Sequence, residues 1–119
     1  MDSIRVRLKG MYSPDLNRPE MPDDPECCAV LMIAEIGSGE GPAADQFSFH
    51  AVTAKFLVLN PESRWGNGYL LLAEFSWTEI ERMLQRLVSG VKASSWPDAA
   101  EQLGKYLDWE YEGYNEGDG

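Results

Sequence analysis

The sequence has few of the residues that most often carry catalysis or bind metals. Its 119 residues include one histidine, His50, and two cysteines, Cys27 and Cys28, which are adjacent. Adjacent cysteines fit neither a zinc site nor a redox C-x-x-C motif, and a disulfide between neighbours in an extended strand would be strained. We therefore expect both cysteines to be reduced packing residues, as free cysteines usually are.

Long apolar runs and an excess of positive charge are also missing. The longest apolar run, residues 27–34, is shorter than the ~18–20 residues of a membrane-spanning helix, and the polar N-terminal segment shows no secretory signal. Twenty acidic residues against ten basic ones give a net charge of −10. Nucleic acids and anionic membranes bind clusters of Lys and Arg, so we expect neither as a partner. We expect a cytoplasmic protein, for which a basic protein is a compatible partner.

Length and hydrophobic periodicity predict one α+β domain over residues 1–119, whose last residues, 113–119, form a flexible acidic tail. Apolar segments bounded by Gly and Pro predict five strands, at residues 3–9, 27–36, 46–52, 69–75 and 108–112. Helices are predicted to begin after Thr53, Ser76 and Ser95, because these residue types cap helices well. Since strands cluster early and helices late, we expect a mostly antiparallel sheet of about five strands with two to three helices packed on one face.

The second predicted strand and the segment before it stand out in composition. Residues 27–36, CCAVLMIAEI, are apolar almost throughout and are bounded by Pro and Gly, so we interpret them as a central strand covered on both faces. Residues 12–26 contain four prolines and predict a long irregular connection. Long irregular connections in compact domains are often functional.

Signals for catalysis or metal binding are weak. Nothing in the sequence ties His50 to a serine or cysteine nucleophile, so we interpret it as a structural or solvated residue. The glycine-rich segment 37–45 lacks the Gly-Lys-Ser/Thr ending of a phosphate-binding loop. Asp23, Asp24 and Glu26 are close enough to suggest Ca²⁺ binding, but prolines interrupt them and the D-x-D-x-D-G pattern is absent. We expect no catalytic residue, no metal site and no cofactor.

Acidic residues concentrate in two parts of the chain, and aromatic residues interleave with the second part. Residues 12–50 hold eight acidic residues and one basic residue, and residues 108–119 hold five acidic residues and no basic residue. Carboxylates that steer and aromatics that anchor are typical of a surface for a cationic protein. A solvated acidic face over core aromatics would give the same pattern.

Alternation within the last predicted strand separates its aromatic residues from its acidic ones. In a strand over residues 108–112, Trp109 and Tyr111 share one face, and Glu110 and Glu112 share the other. This favours Trp109 as a core residue and leaves the two glutamates exposed. We predict that a partner binds acidic residues of the long connection and of the last strand: Asp23, Asp24, Glu26, Glu110 and Glu112.

Several segments resemble, in the same order along the chain, those of one known family. They are Met11-Tyr12-Ser13-Pro14-Asp15, Met21-Pro22-Asp23-Asp24-Pro25-Glu26, Phe47-Ser48-Phe49 running into Thr53-Ala54-Lys55-Phe56-Leu57, Ser95-Trp96, and Trp109-Glu110-Tyr111-Glu112-Gly113-Tyr114. Together they span nearly the whole chain and resemble the immunity protein 8 family of bacterial polymorphic toxin systems. Two features depart from the family pattern: Phe56 stands where a Trp is usual, and residues 115–119 follow the last motif.

The resemblance implies a small non-enzymatic protein that is encoded beside a toxin, binds the toxin domain and blocks it. A nuclease is one such toxin, because a cleft that binds phosphate is basic and suits an acidic inhibitor. Two other interpretations stay open. The protein could be an acidic adaptor or chaperone that holds a secreted effector without inhibiting it, or a small enzyme built around His50 or a pair of acids. The residues leave the oligomeric state undefined.

Overall fold

The computed structural model describes residues 3–61 and 68–110 of the chain. This part forms five strands and three helices, in the predicted order. The elements are β1 (Val6–Tyr12), β2 (Ala29–Ser38), β3 (Asp45–Thr53), α1 (Ala54–Leu59), β4 (Tyr69–Leu72), α2 (Trp77–Ser89), α3 (Trp96–Leu103) and β5 (Asp108–Trp109). The predicted α+β class with about five strands is therefore confirmed.

The strands form one mixed sheet in the order β1-β2-β3-β4, and β5 also pairs with β3. β1, β2, β3 and β5 pair antiparallel to their neighbours, whereas β4 runs parallel to β3. β5 lies beside Phe47 and Ser48, and β4 lies beside residues 50–53, so both follow the same edge of β3. A parallel pair requires a crossover connection, and the segment between β3 and β4 includes α1.

Helices α2 and α3 pack on one face of this sheet, as predicted. The Ser76 Oγ accepts a hydrogen bond from the backbone N–H of Glu79 at 3.1 Å, and this cap starts α2. α2 buries Trp77, Ile80, Leu84 and Val88, and α3 buries Ala99, Ala100 and Leu103. All of these side chains except that of Ala99 join one hydrophobic cluster with the sheet residues Met32, Ala34, Ile36, Phe47, Phe49 and Ala51.

The prediction that the second strand is covered on both faces is wrong. Along β2, Met32, Ala34 and Ile36 are fully buried, but the intervening Leu31 and Ile33 remain partly exposed. Because α2 and α3 both pack on the Met32 side, no helix described in residues 3–61 and 68–110 joins Leu31 and Ile33 to the core cluster. β2 therefore has one covered face and one open face.

Several strand limits differ from the predicted ones for local reasons. β1 lies at 6–12 rather than 3–9, with a shift in register between Leu8 and Gly10. β2 starts after Cys28, whose backbone N–H donates to the Thr53 Oγ1 at 3.0 Å. β4 ends early because the chain turns so that the Phe75 N–H donates to the Pro25 carbonyl at 2.7 Å. β5 is assigned only over 108–109, and the predicted strand residues 111–112 and tail 113–119 lie outside the described residues.

The irregular connection between β1 and β2, predicted over residues 12–26, is confirmed and packs against α2. The Trp77 indole N–H donates to the Glu20 carbonyl at 2.6 Å. Arg18 pairs with Glu81 at 2.8 Å and lies over the Trp77 ring, 5.8 Å from its centroid. These contacts fix the connection beside the N-terminal half of α2 and thereby position its acidic residues.

Candidate functional site

The acidic residues predicted in the long connection, Asp23, Asp24 and Glu26, are all exposed. The Asp24 carboxylate accepts a hydrogen bond from the Glu26 N–H at 3.1 Å, and the Asp24 carbonyl accepts one from the Cys27 N–H at 3.0 Å. Asp24 therefore holds a turn as well as adding charge. Its charge also acts on a nearby thiol: burial, with smaller effects from Asp24 and Cys27, raises the pKa of Cys28.

Glu110, predicted in the last strand, is exposed at the end of β5. Its backbone N–H donates to the Gln46 carbonyl at 2.9 Å, and its carboxylate accepts a hydrogen bond from the Gln46 N–H. Both halves of the residue are thus tied to the start of β3. The other predicted residue of this strand, Glu112, lies outside the described residues.

The structure separates these two predicted acidic groups. Glu110 contacts Gln46 at the start of β3, whereas the connection rejoins the sheet at Cys28, which is bonded to Thr53 at the other end of β3. At ~3.3 Å per residue, the stretch of β3 between Gln46 and Thr53 is about 23 Å long. The two groups therefore cannot serve one small binding site, although one protein partner could reach both.

The sheet face opposite α2 and α3, which we call the open face, shows aromatic, apolar and polar residues together. Cross-strand pairing arranges it in rows. These rows are Gly10, Glu35, Gln46 and Glu110; Tyr12, Ile33, Ser48 and Asp108; Leu31, His50 and Tyr69; and Ala29, Val52 and Leu71. Leu71 is 61% exposed and Tyr12 is 41% exposed, whereas Val52, next to the start of α1, is buried. None of these residues belongs to the core cluster or to the partly buried residues that pack against it.

Tyr12 lies across the open face rather than away from it. Its hydroxyl accepts a hydrogen bond from the Gln46 side-chain amide at 3.2 Å, although Tyr12 is on β1 and Gln46 is on β3. To make this bond, the ring must pass over β2, which separates the two strands. A large exposed aromatic side chain is thereby held flat on the sheet.

Three carboxylates, those of Glu35, Asp108 and Glu110, border the Tyr12 end of this face and are called the acidic rim below. The Glu35 carboxylate reaches over Gly10, where an added Cβ would come within 2.5 Å of its Oε1. Among residues 3–61 and 68–110, ion pairs join Arg7 to Glu40, Arg18 to Glu81 and Arg82 to Glu79, and none involves the acidic rim.

Of the acidic rim, Glu35 and Asp108 were not among the predicted binding residues. Asp108 pairs with Ser48 across β3 and β5, and Glu35 pairs with Gln46 across β2 and β3. Strict alternation along β2 would have placed Glu35 on the same face as Leu31 and Ile33. Because we interpreted β2 as covered on both faces, we did not expect Glu35 on an exposed face.

Asp45, the first residue of β3, binds two tryptophan side chains on the helix-covered face of the sheet. Its Oδ2 accepts hydrogen bonds from the indole N–H groups of Trp96, at 2.8 Å, and Trp109, at 2.9 Å. Phe47 packs between these indoles, edge-on to Trp96 and stacked with Trp109. Trp109 is partly buried against the core, which confirms its interpretation as a core residue.

Two further features bear on catalysis and ligand binding. His50 is exposed on the open face, and its ring lies 5.8 Å from that of Tyr69.

On the helix side, an apolar cavity of about 360 Å³ lies between β4 and α2, lined by Phe49, Leu70, Leu87 and Tyr106 among others. In the described ranges, no three His, Cys, Asp or Glu residues are grouped so as to hold a metal ion.

Fold and surface define a class of protein: a small acidic α+β protein with one sheet face under helices and the other open. Comparison with family models gives a match to the one described as Immunity protein 8 over residues 6–114. The chain therefore belongs to the immunity protein 8 family, whose members serve toxin systems. Searches of curated proteins and of solved structures found no match. Among the described helices, none is long and apolar enough to span a membrane.

Proposed function

We propose that this chain is a non-catalytic immunity protein that binds one cognate toxin domain and blocks its activity in the cytoplasm. The family match over residues 6–114 carries the proposal. The net charge of −10 supports a basic partner, because opposite charge raises the rate of encounter by about 10–10³. An inhibitor that must act before the toxin does damage gains directly from a fast association.

In this proposal, inhibition is steric and electrostatic. The toxin's substrate cleft is basic, as in a nuclease that must bind phosphate. Acidic residues of this chain steer the toxin domain and then cover the cleft, and we assign this role to Asp23, Asp24, Glu26, Glu110 and Glu112. Exposed aromatic or apolar side chains near them slow dissociation, because packed anchors at an interface mainly affect the dissociation rate.

A growth assay tests this function. The toxin domain encoded beside the gene for this chain is expressed from an inducible promoter, with or without the chain. We expect growth to stop without the chain and to continue with it, whereas an immunity protein of another family should not rescue growth. Continued arrest despite a folded, expressed chain would contradict the proposal.

The adaptor interpretation differs in one observable property. An adaptor or chaperone would bind the toxin domain as tightly as an inhibitor but would leave it active. Purified complex should therefore show no toxin activity if our proposal is correct. Toxin that is fully active while bound would support the adaptor instead.

A further inference from the structure

We propose that the open face of the sheet is the surface that docks the toxin domain, and that its occupant presents an apolar centre beside a group of Lys or Arg side chains. This inference rests on the proposed function and narrows it. It assigns the contact to one face of the sheet, and it adds Glu35 and Asp108 to the binding residues.

The apolar character of β2 is the first argument. An antiparallel strand with one face in solvent normally alternates apolar and polar residues, and β2 does not. In this chain α2 and α3 cover only the Met32 side, and Leu31 and Ile33 on the other side stay partly exposed. The helices cover one face of β2, and a second protein that covered the other face would explain why that face is apolar too.

The exposed anchors on the same face are the second argument. Leu71, at 61% exposure, and Tyr12, at 41%, are two of the six exposed large hydrophobic side chains in the described residues. Tyr12 is held flat by its bond to Gln46, so little freedom is lost when a partner covers it. Aromatic side chains fixed in this way are typical centres of binding energy.

Charge identifies the occupant. The face carries the three carboxylates of the acidic rim, while the two cations of β1 are directed elsewhere: Arg7 pairs with Glu40 at 3.2 Å, and the Lys9 ammonium donates to the Gly41 carbonyl. A partner that covered these carboxylates with apolar or acidic groups would bury them without compensation. Lys or Arg side chains opposite the rim avoid that cost.

Two alternative occupants of the open face would come from this protein itself: the C-terminal residues 111–119 and a second copy of the chain. Both fit the face less well than a basic toxin domain does. Residues 111–119 contain three acidic residues and no basic one, and a second copy would bring the same net charge of −10 and the same acidic rim. Both would place like charges opposite each other, which opposes association. The face measures roughly 20 Å by 15 Å between its outer Cα atoms, so a standard interface of ~800 Å² per partner would extend over the rim.

Matched charge reversals test the surface. One variant of the full chain combines Glu35→Lys, Asp108→Lys and Glu110→Lys. The control combines Glu74→Lys, Asp98→Lys and Glu101→Lys, three exposed acidic residues that stand outside the open face and outside the assigned binding residues. Both variants change the net charge equally. Binding to the toxin domain of the neighbouring gene, inactivated at its catalytic residue, is followed by stopped-flow kinetics at low salt.

We expect the association rate constant to fall about 10- to 100-fold for the open-face variant and less than about threefold for the control variant. An equal or larger effect of the control would overturn the inference while leaving the proposed function intact. If the unmodified chain does not bind the toxin domain at all, the proposed function fails as well, so the two failures are distinguishable.

A measurement on the unmodified chain covers the case in which a triple variant does not fold. With methyl groups labelled for NMR, addition of the inactive toxin domain should shift the signals of Leu31, Ile33 and Leu71. The core residues Ile80 and Leu84 should change little in comparison. Shifts confined to α2 and α3, with the open-face methyl groups unchanged, would contradict the assignment.

Discussion

Asp45 is a side chain on which the contact between two elements depends. It accepts hydrogen bonds from two indoles, those of Trp96 and Trp109, and so joins α3 to β5. Asp45→Ala would remove this acceptor from both partly buried N–H groups. We expect the free energy of unfolding, measured by urea denaturation, to fall by about 2 kcal/mol.

Two comparisons make the Asp45 result specific. Asp45→Asn keeps an acceptor oxygen without the charge and should cost about 1 kcal/mol. Asp98→Ala removes an exposed acidic residue from the first turn of α3 and should cost less than about 1 kcal/mol. If Asp45→Ala were no more destabilising than Asp98→Ala, the double indole contact would not be a stabilising feature.

The adjacent cysteines should differ in reactivity. Burial raises the pKa of the Cys28 thiol, with Asp24 and Cys27 adding to the effect, so Cys28 stays protonated to a higher pH than a free thiol does. The thiolate is the reactive form, and Cys28 is only 9% exposed. In the native protein we expect iodoacetamide to label Cys27 about 10-fold faster at pH 8 and the labelling of Cys28 to begin only at higher pH.

Mass spectrometry of tryptic peptides from Cys27→Ser and Cys28→Ser variants resolves the two rates. Labelling in denaturant gives the reference in which the two thiols should react alike. Equal rates in the native protein would mean that Cys28 is accessible and its pKa unperturbed.

At the scale of elements, α2 begins at a cap that the sequence predicts, and the contribution of that cap to stability can be measured. The N-terminal cap at Ser76 was predicted from the sequence and is observed, and the helix ends at Gly90. Ser76→Ala removes the acceptor for the Glu79 N–H and should lower the free energy of unfolding by about 1 kcal/mol. Thr78→Ala, at an exposed position in the same turn, should change it by no more than about 0.5 kcal/mol in the same urea experiment. Equal effects would show that the cap is not what stabilises this end.

Local signals could be predicted because their causes lie within a few residues. The caps at Thr53, Ser76 and Ser95 and the stripe of apolar residues on α2 depend on neighbours along the chain. The parallel pairing of β4 with β3 depends on a crossover instead, and no residue within β4 encodes it.

The open face was missed for a similar reason. The sequence of β2 shows that Leu31 and Ile33 are apolar, but not which side α2 and α3 will choose. Asp108 and Glu35 come onto one surface only through two separate strand pairings. Of the predicted binding residues, Glu110 lies on that surface, whereas Asp23, Asp24 and Glu26 lie about one strand length away.

At the scale of the whole molecule, charge should govern how fast the protein finds its partner. The net charge is −10, and screening shortens the reach of charge from ~10 Å at 0.1 M salt to ~3 Å at 1 M. We expect the association rate constant with the toxin domain to fall at least about 10-fold between 0.05 and 0.5 M salt, while the dissociation rate constant changes less than about threefold. An association rate that is independent of salt would remove electrostatic steering from the account.

The most direct test of the central claim is a titration of the active toxin domain with the purified chain, in which toxin activity and complex formation are measured in the same samples. The account predicts that activity declines in proportion to the fraction bound and is abolished once all toxin is in complex. A toxin domain that is fully bound and still fully active would contradict the claim that this immunity protein neutralises its partner by binding.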